Sequence, residues 1–232
     1  MEILGVTDTV AQYLRGRIIT NAFKSGQKLN EIELASQLNI SRAPLREAFR
    51  VLENEHLLMR LPRKGTFVTE ASVRSLRDLY SARKMIECYV IDVLKSGKIR
   101  DLPSIYASVT QASELSLPKR DNRQEILNYL KGITDFHVKL VASTRNPWIV
   151  DFYDSIATNL ARFQYFCIWI PGLTRDSQSS HEEIYRLLSA GSYDEAKELL
   201  VSHIDYTVGF IENYVEKESI GDLQMRMMKE AQ

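Results

Sequence analysis

Several features of membrane, secreted and thiolate-metal proteins are missing from this sequence of 232 residues. No apolar run approaches the roughly 18 residues of a membrane-spanning helix. The N-terminus has no basic flank followed by an apolar stretch, so it lacks the pattern of a secretory signal. The only cysteines, Cys88 and Cys167, lie far apart, which argues against a disulfide framework or a thiolate cluster. We therefore expect a cytoplasmic protein in which both cysteines pack in the core.

Motifs of common enzyme classes are also missing, including HExxH, GxSxG and a phosphate-binding glycine loop. The chain has no net charge, because 30 basic residues balance 30 acidic ones. Residues 40–65 nevertheless hold six basic residues against three acidic ones, a weak indication of a nucleic-acid partner. The composition is otherwise that of a globular protein, with 44% hydrophobic and 26% charged residues, and the length predicts two domains of unequal size.

Residues 31–69 have the pattern of a winged helix-turn-helix. Apolar residues recur at helical spacing in 31–38, and a second amphipathic helix begins just after Ser41. The short segment between them forces the helices to cross steeply, and Asn39 suits a turn that needs a positive φ. Ser41 is a plausible N-cap for the second helix. After that helix, 59–61 and 66–69 read as the strands of a β-hairpin wing around a basic, glycine-containing tip.

Arginines on the second helix are the first candidates for DNA contacts. Arg42, Arg46 and Arg50 recur every four residues and form one row, opposite a core-facing stripe of Leu45, Ala48, Phe49 and Leu52. Taken alone, such a row is more often a solvated basic face. The adjoining wing favours the other interpretation, in which guanidinium groups reach guanine edges or phosphates in the major groove.

The string GQKLNEIELASQLNISRAPLREAFRVLENEHLLMRLPRKGTFV resembles the DNA-binding domain of GntR-family bacterial transcription regulators. The resemblance implies that Arg42 and Arg46 contact the operator and that Lys64 and Gly65 form the wing tip. The full predicted DNA-binding set is Ser41, Arg42, Arg46, Arg50, Arg63, Lys64 and Gly65. One departure is His56, which stands where the family usually has glycine.

Beyond the wing, strand signals fade and helical periodicity predicts an all-α bundle. The expected helices are 72–95, 101–115, 121–144, 147–168, 176–190 and 193–218. The predicted fold class is therefore mainly α, with a winged helix-turn-helix domain at 1–70 and a helical effector-binding and dimerisation domain at 71–232.

Two charged residues, Arg83 and Glu87, fall inside the apolar stripe of the first of these helices. Charges on a core face are costly unless they are paired or face a polar cavity. One interpretation is an i, i+4 salt bridge at a domain or dimer interface. The other is that Arg83 lines a pocket and grips a ligand carboxylate with its planar fork.

Three histidines lie on three different predicted helices of this half: His137, His181 and His203. A single histidine on an amphipathic helix is more often structural than a ligand. Helical bundles nevertheless build metal sites from facing helices, and three imidazoles with an open fourth position can bind zinc.

The segments LYSARKMIECYVIDVL, DFHVKLVASTRNPWI and HEEIYRLLSAGSYDEAKELLVSHI resemble the FCD effector-binding domain of the FadR-like branch of the GntR family. In many members a D-x-x-x-H motif and two later histidines bind a divalent metal, and a small organic acid completes its coordination. The resemblance implies a divalent metal at His137, His181 and His203, with zinc and nickel as the leading candidates. It also implies an effector site with Arg83 and Asn146.

The aspartate of the D-x-x-x-H motif is replaced here by Ile133. Asp135 cannot substitute, because a residue two positions before His137 points about 200° around the helix from it. The site therefore loses one anionic ligand and should bind metal more weakly, or leave an extra position for water or effector.

The resemblance implies a homodimeric transcription regulator that binds a palindromic operator and responds to a small carboxylate. One alternative is a dimeric DNA-binding protein without an effector, which the lost aspartate favours. Another is a metal-dependent hydrolase at the three histidines, but only Glu182 stands near them in sequence as a general base.

Overall fold

The computed structural model describes residues 5–170 and 172–217. An N-terminal unit ends at Ser72 and a C-terminal unit begins at Val73. The described residues are mainly helical, with a single small sheet in the N-terminal unit, as the predicted fold class requires. None of the helices in these residues is long and apolar enough to cross a bilayer.

The N-terminal unit combines three helices with a three-stranded antiparallel sheet. Its elements are α1 (Val6–Ile19), β1 (Lys28–Leu29), α2 (Glu31–Gln37), α3 (Arg42–Asn54), β2 (Leu58–Leu61) and β3 (Gly65–Val68). The strand order is β1-β3-β2, and the hairpin pairs Leu58 with Val68 and Leu61 with Gly65. The predicted helix-turn-helix and wing are thus present. Helix α1 and strand β1, which none of the predicted elements covers, complete the core and the sheet.

The turn between α2 and α3 has the backbone that the sequence predicts. Asn39 adopts φ 51°, and its N–H donates to the Ser36 carbonyl. Asn30 caps α2, since its side chain accepts from the N–H groups of Ile32 and Glu33. Ser41 occupies the N-cap of α3 with extended backbone, but its side chain makes no capping hydrogen bond. Only its predicted position, and not its predicted capping bond, is therefore present.

Packing of α1 against α3 forms the centre of this unit's core. The predicted stripe of Leu45, Ala48, Phe49 and Leu52 is buried against Leu14 and Ile18 of α1 and Val68 of β3. Because this stripe faces inward, the arginine row on the other side of α3 stays exposed.

Besides Asn21 and Asn39, two further non-glycine residues of this unit, His56 and Arg63, have a positive φ. His56 follows α3 with φ 57°, and the next N–H, of Leu57, donates to the Leu52 carbonyl. This helix ending normally uses glycine, because a side chain at positive φ is strained. Arg63 at the wing tip also has a positive φ of 62°. Beside it, Gly65 has φ 106°, and a Cβ there would lie 3.2 Å from Lys28 Cε.

The C-terminal unit is a bundle of six helices within the described residues. They are α4 (Val73–Gly97), α5 (Pro103–Ser113), α6 (Arg123–Ala142), α7 (Pro147–Cys167), α8 (Leu173–Ala190) and α9 (Tyr193–Lys217). The predicted bounds agree within two residues, except that α8 begins three residues earlier. Gly191 ends α8 with φ 85°, where the Ala190-Gly191-Ser192 break predicts a stop.

The bundle brings four helices around one interior region. Helix α4 packs against α6, α7 and α9, while α8 packs against α6 and α9. Arg83 and Glu87 lie on α4, His137 on α6, His181 on α8 and His203 on α9, and all five side chains are buried. Side chains that are far apart in sequence therefore share one interior site.

Candidate functional site

The three predicted histidines meet in the interior of the C-terminal bundle. His181 Nε2 lies 3.2 Å from His203 Nε2, and the ring nitrogens of His137, His181 and His203 lie within 4.8 Å of one another. We call these three residues the histidine cluster. Phe136 stacks on His181 with ring centroids 4.4 Å apart and fixes the plane of that imidazole.

Glu87 is the acceptor that organises the surrounding side chains. Its Oε1 accepts from Arg83 Nε at 2.7 Å and from Tyr153 OH at 3.0 Å, and its Oε2 lies 2.8 Å from His137 Nδ1. A carboxylate at Nδ1 fixes the proton there and leaves the Nε2 lone pair of His137 free to bind a metal. Glu87 on α4 thus sets both the orientation and the tautomer of His137 on α6.

Arg83 forms a salt bridge and also lines a cavity, so its position is consistent with both interpretations that the sequence left open. It forms the expected i, i+4 salt bridge with Glu87, buried inside the bundle, with side chains 1% and 0% exposed. Its Nη2 is also buried and has no hydrogen-bond partner in the described residues. Arg83 lines the same cavity as the histidine cluster. One edge of the guanidinium is therefore paired, and the other can donate to a ligand.

A small cavity adjoins the histidine cluster. Its volume is about 40 Å³. Besides Arg83 and the histidine cluster, its polar lining consists of Thr134, Gln164, Thr174, Ser177, Gln178 and Thr207. A cavity of this size, lined by these side chains, suits a small molecule that carries hydrogen-bonding groups.

Burial sets the protonation of the cluster. It is the largest cause that holds the pKa of His137, His181 and His203 well below the ordinary value of 6.5, and the charge of Arg83 adds to it. Although burial disfavours its charge, Glu87 raises the pKa of Arg83 above its ordinary range. Burial raises the pKa of the Cys167 thiol to about 12. The cavity therefore presents neutral imidazoles, a neutral thiol and a permanent cation near neutral pH.

The donor set fits a divalent ion. Two imidazole nitrogens on one tetrahedral ion at 2.0–2.1 Å are about 3.3 Å apart, close to the 3.2 Å between His181 and His203. Neutral imidazole is the form that binds metal, and its second nitrogen usually meets a carboxylate or carbonyl, as His137 Nδ1 meets Glu87. The residues present could therefore hold a metal without a large rearrangement.

The structure shows where Ile133 and Asp135, the two residues considered for the missing aspartate ligand, lie. Ile133 lines the cavity one turn before His137, where the family aspartate would stand. Asp135 lies on another face of α6, with its carboxylate 3.8 Å from Lys139 Nζ. The expectation that Asp135 cannot replace the missing ligand is therefore consistent with the geometry.

Asn146 is not among the residues that line this cavity, so its assignment to the effector site stays a prediction that the cavity does not support. Its exposed side chain caps α7 by accepting from the Trp148 N–H at 3.1 Å. The physical reason is local, because asparagine before a proline at the first helical position is a strong N-cap. Cys88 is only half-buried, so just one of the two cysteines is a core residue as expected.

The predicted DNA-binding residues lie exposed on the N-terminal unit. Ser41, Arg42, Arg46 and Arg50 are exposed along α3, and Arg63, Lys64 and Gly65 form the exposed wing tip. Arg46 Nε donates to Glu31 at 2.8 Å, yet the arginine side chain remains 53% exposed. Arg50 pairs with Glu47 on the same helix. The basic row is therefore open to a partner, and Glu31 holds one member of it.

Comparisons with known families decide the classification. The model of bacterial regulatory proteins of the gntR family matches residues 6–68, and the FCD domain model matches residues 78–206, more than half of the chain. The chain belongs to the GntR family. Within it, the FCD domain places the chain in the FadR-like branch. It is a transcription regulator with a DNA-binding N-terminal domain and a C-terminal effector-binding domain.

Several transcription regulators and one solved structure are similar to this chain. The Nta operon transcriptional regulator of Aminobacter aminovorans is 29% identical over 78% of this chain and 83% of its own length. The gluconate operon transcriptional repressor of Bacillus licheniformis is 27% identical over 66% of this chain and 61% of its own length. A crystal structure of a GntR regulator from Rhodococcus sp. RHA1 covers 89% of this chain and 97% of its own, with a TM-score of 0.71 and 23% identity, and shows the same fold.

Several side chains that line this cavity were not among the residues predicted from the sequence. Thr174, Ser177 and Gln178 precede His181 at spacings that place all four on one face of α8, and this polar stripe is a signal that could have been used. Glu87 stood out only as a charge in an apolar stripe. Tyr153 gave no local signal, because its partner Glu87 is 66 residues away.

Proposed function

We propose that the chain is a homodimer that acts in the bacterial cytoplasm, binds a palindromic operator through α3 and the wing, and responds to a small organic acid in the C-terminal cavity. One observation carries this proposal: the histidine cluster and Arg83 meet at one cavity in a chain that also contains a DNA-binding unit. An acid changes operator affinity only if it binds one arrangement of the dimer better than another, with a typical coupling of about 1–3 kcal/mol.

The histidine cluster would hold the metal, with zinc or nickel as the first candidates because imidazole binds both well. A bound divalent ion would supply a Lewis-acidic position for a carboxylate. Glu87 keeps the His137 Nε2 lone pair available, and Arg83 Nη2 donates to the same ligand. The name of one relative refers to gluconate, a small carboxylate, which supports an acid as the ligand class.

Large apolar side chains on the outer faces of α4 and α7 support self-association. Met85 and Tyr89 are 69% and 53% exposed on α4, and Trp148 and Phe152 are 71% and 63% exposed on α7. The two helices pack against each other. Exposed apolar groups of this size are typical of interaction surfaces. In a two-fold dimer each would meet its counterpart region on the second copy, and such symmetry matches a palindromic operator.

Selection from random double-stranded DNA with the full chain tests whether the protein binds a palindromic operator as a dimer. We expect enrichment of a palindrome, two chains per site by sedimentation, and weaker binding when Trp148→Asp makes the protein monomeric. Recovery of sites without two-fold symmetry, or wild-type protein that stays monomeric on the DNA, would contradict the proposal.

Metal analysis of protein purified without chelators tests whether the C-terminal site binds a metal and an organic acid. We expect about one zinc or nickel ion per chain, lost in the His203→Gln variant, together with a thermal shift when an organic acid is added. Metal-free protein that no acid stabilises would favour a purely architectural DNA-binding role.

A further inference from the structure

No negative charge among the described lining residues is available to balance a cation bound in the cavity. Arg83 is its charged lining residue, and within residues 5–170 and 172–217 the lining includes no carboxylate. Glu87 is close by, but Arg83, Tyr153 and His137 already occupy its two oxygens. The negative charge of Glu87 therefore offsets that of Arg83 and leaves nothing for a bound cation.

An apolar side chain occupies the position beside the histidine cluster from which a fourth protein side chain could bind the metal. Ile133 lies one helical turn before His137 and lines the cavity with it. The cluster itself consists of three imidazoles, and a neutral imidazole brings no charge to a metal. A divalent ion held there would keep both of its positive charges in a buried site. Buried charge without a counterion is strongly unfavourable, so the ligand must supply the balance.

Two separate positions in the cavity can receive an anion. One is the histidine cluster with its ion, and the other is Arg83 Nη2, a buried donor that lacks a partner in the described residues. The cavity is small, with a volume of about 40 Å³, so it suits only a compact ligand. A ligand that reaches both positions must be short and must carry an acceptor at each end.

We propose that the effector of this protein is a short dicarboxylate of about two to four carbons, bound as a dianion, with one carboxylate at the histidine cluster and the other at Arg83. This inference rests on the proposed metal-dependent effector site and specifies its ligand class. Ile133 is then a specificity-determining residue, because its neutral side chain leaves the second negative charge to the ligand.

Calorimetry on the zinc-loaded full chain compares acids that differ in one carboxylate. Succinate is matched by butyrate, and malonate by propionate, while gluconate adds the monocarboxylate named for a relative. We expect each dicarboxylate to bind at least about tenfold more tightly than its matched monocarboxylate. Equal or tighter binding of the monocarboxylates by the wild-type protein overturns the inference.

A pair of substitutions at Ile133 isolates the charge. Ile133→Asp and Ile133→Asn introduce side chains of the same size, and only the aspartate is an anion. We expect Ile133→Asp to bind zinc more tightly and to lower the preference for succinate over butyrate to within about threefold, because the protein then supplies one negative charge. Ile133→Asn should keep the wild-type preference. The inference fails if both variants keep it or both lose it.

The outcomes also separate this inference from the function on which it rests. Zinc-loaded protein that binds monocarboxylates, and changes its operator affinity when it does, contradicts the dianion and leaves the regulator intact. Protein that binds neither zinc nor any of the five acids contradicts both.

Discussion

Glu87 offers the sharpest test of how the interior site is built. The substitution Glu87→Gln changes one oxygen for an amide nitrogen and keeps the shape of the side chain. The amide oxygen can still accept from Arg83 and Tyr153, and its nitrogen then faces His137 Nδ1. That nitrogen can only donate, so the His137 proton must move from Nδ1 to Nε2. The lone pair that would bind a metal disappears.

The size of the effect follows from the burial of the pair. Arg83 and Glu87 are 1% and 0% exposed, so solvent does not screen the loss of the carboxylate charge. Removing one member of a buried ion pair leaves an uncompensated charge and costs about 3–5 kcal/mol. A typical domain has a total stability of about 5–15 kcal/mol, so the effect is large. Metal affinity should also fall about 10- to 100-fold, because His137 loses its orienting carboxylate.

Urea unfolding and zinc calorimetry on the full chain measure the two effects. The matched control is Glu183→Gln, which changes an exposed glutamate paired with Arg186 on α8 and should leave both quantities nearly unchanged. A Glu87→Gln protein within about 1 kcal/mol of wild type would refute the buried-network reasoning. Unchanged zinc affinity would refute the tautomer argument even if stability fell.

Three further predictions concern the DNA-binding unit and the protonation of the histidine cluster. Arg46→Ala should weaken binding of the selected operator by about 1–3 kcal/mol in fluorescence anisotropy. Full affinity of the variant would show that Arg46 on α3 does not contact the operator bases. His56→Gly should raise the free energy of unfolding by about 1 kcal/mol, since glycine relieves the strain at φ 57°; lower stability would contradict this helix ending. The unfolded chain binds protons at the histidine cluster below pH about 6.5, whereas burial keeps these imidazoles neutral in the folded state. Metal-free protein should therefore lose up to about 1.4 kcal/mol per histidine for each pH unit below that value; a flat profile from pH 7 to 5 in urea unfolding would show that these histidines are accessible to solvent.

The sequence predicted most of the fold because its signals are local. Helical periodicity, the Gly191 stop and the positive φ of Asn39 depend on neighbouring residues, and the structure has each of them. The cap of α7 is of the same kind, because asparagine followed by proline is a local helix-start pattern, and Asn146 does cap the helix. The His56 departure also has a local meaning, a strained helix ending.

The interior site depended on contacts that no local pattern encodes. Glu87 meets His137 and Tyr153 across 50 and 66 residues, and only the packing of α4 against α6 and α7 brings them together. The resemblance to a family located the histidines, but it did not identify the carboxylate that orients one of them. The two roles of Arg83 could not be separated in advance, because its paired and unpaired nitrogens belong to the same side chain.

The most direct measurement is operator affinity of the zinc-loaded full chain with and without an acid. Fluorescence anisotropy would compare wild type with His203→Gln, each titrated in the presence of succinate, malonate or gluconate. We expect at least one acid to change wild-type affinity by about 5- to 150-fold, and His203→Gln to bind the operator with no response to any of them. Wild-type affinity that none of the acids changes, or an equal response in His203→Gln, would contradict a switch operated through the histidine cluster.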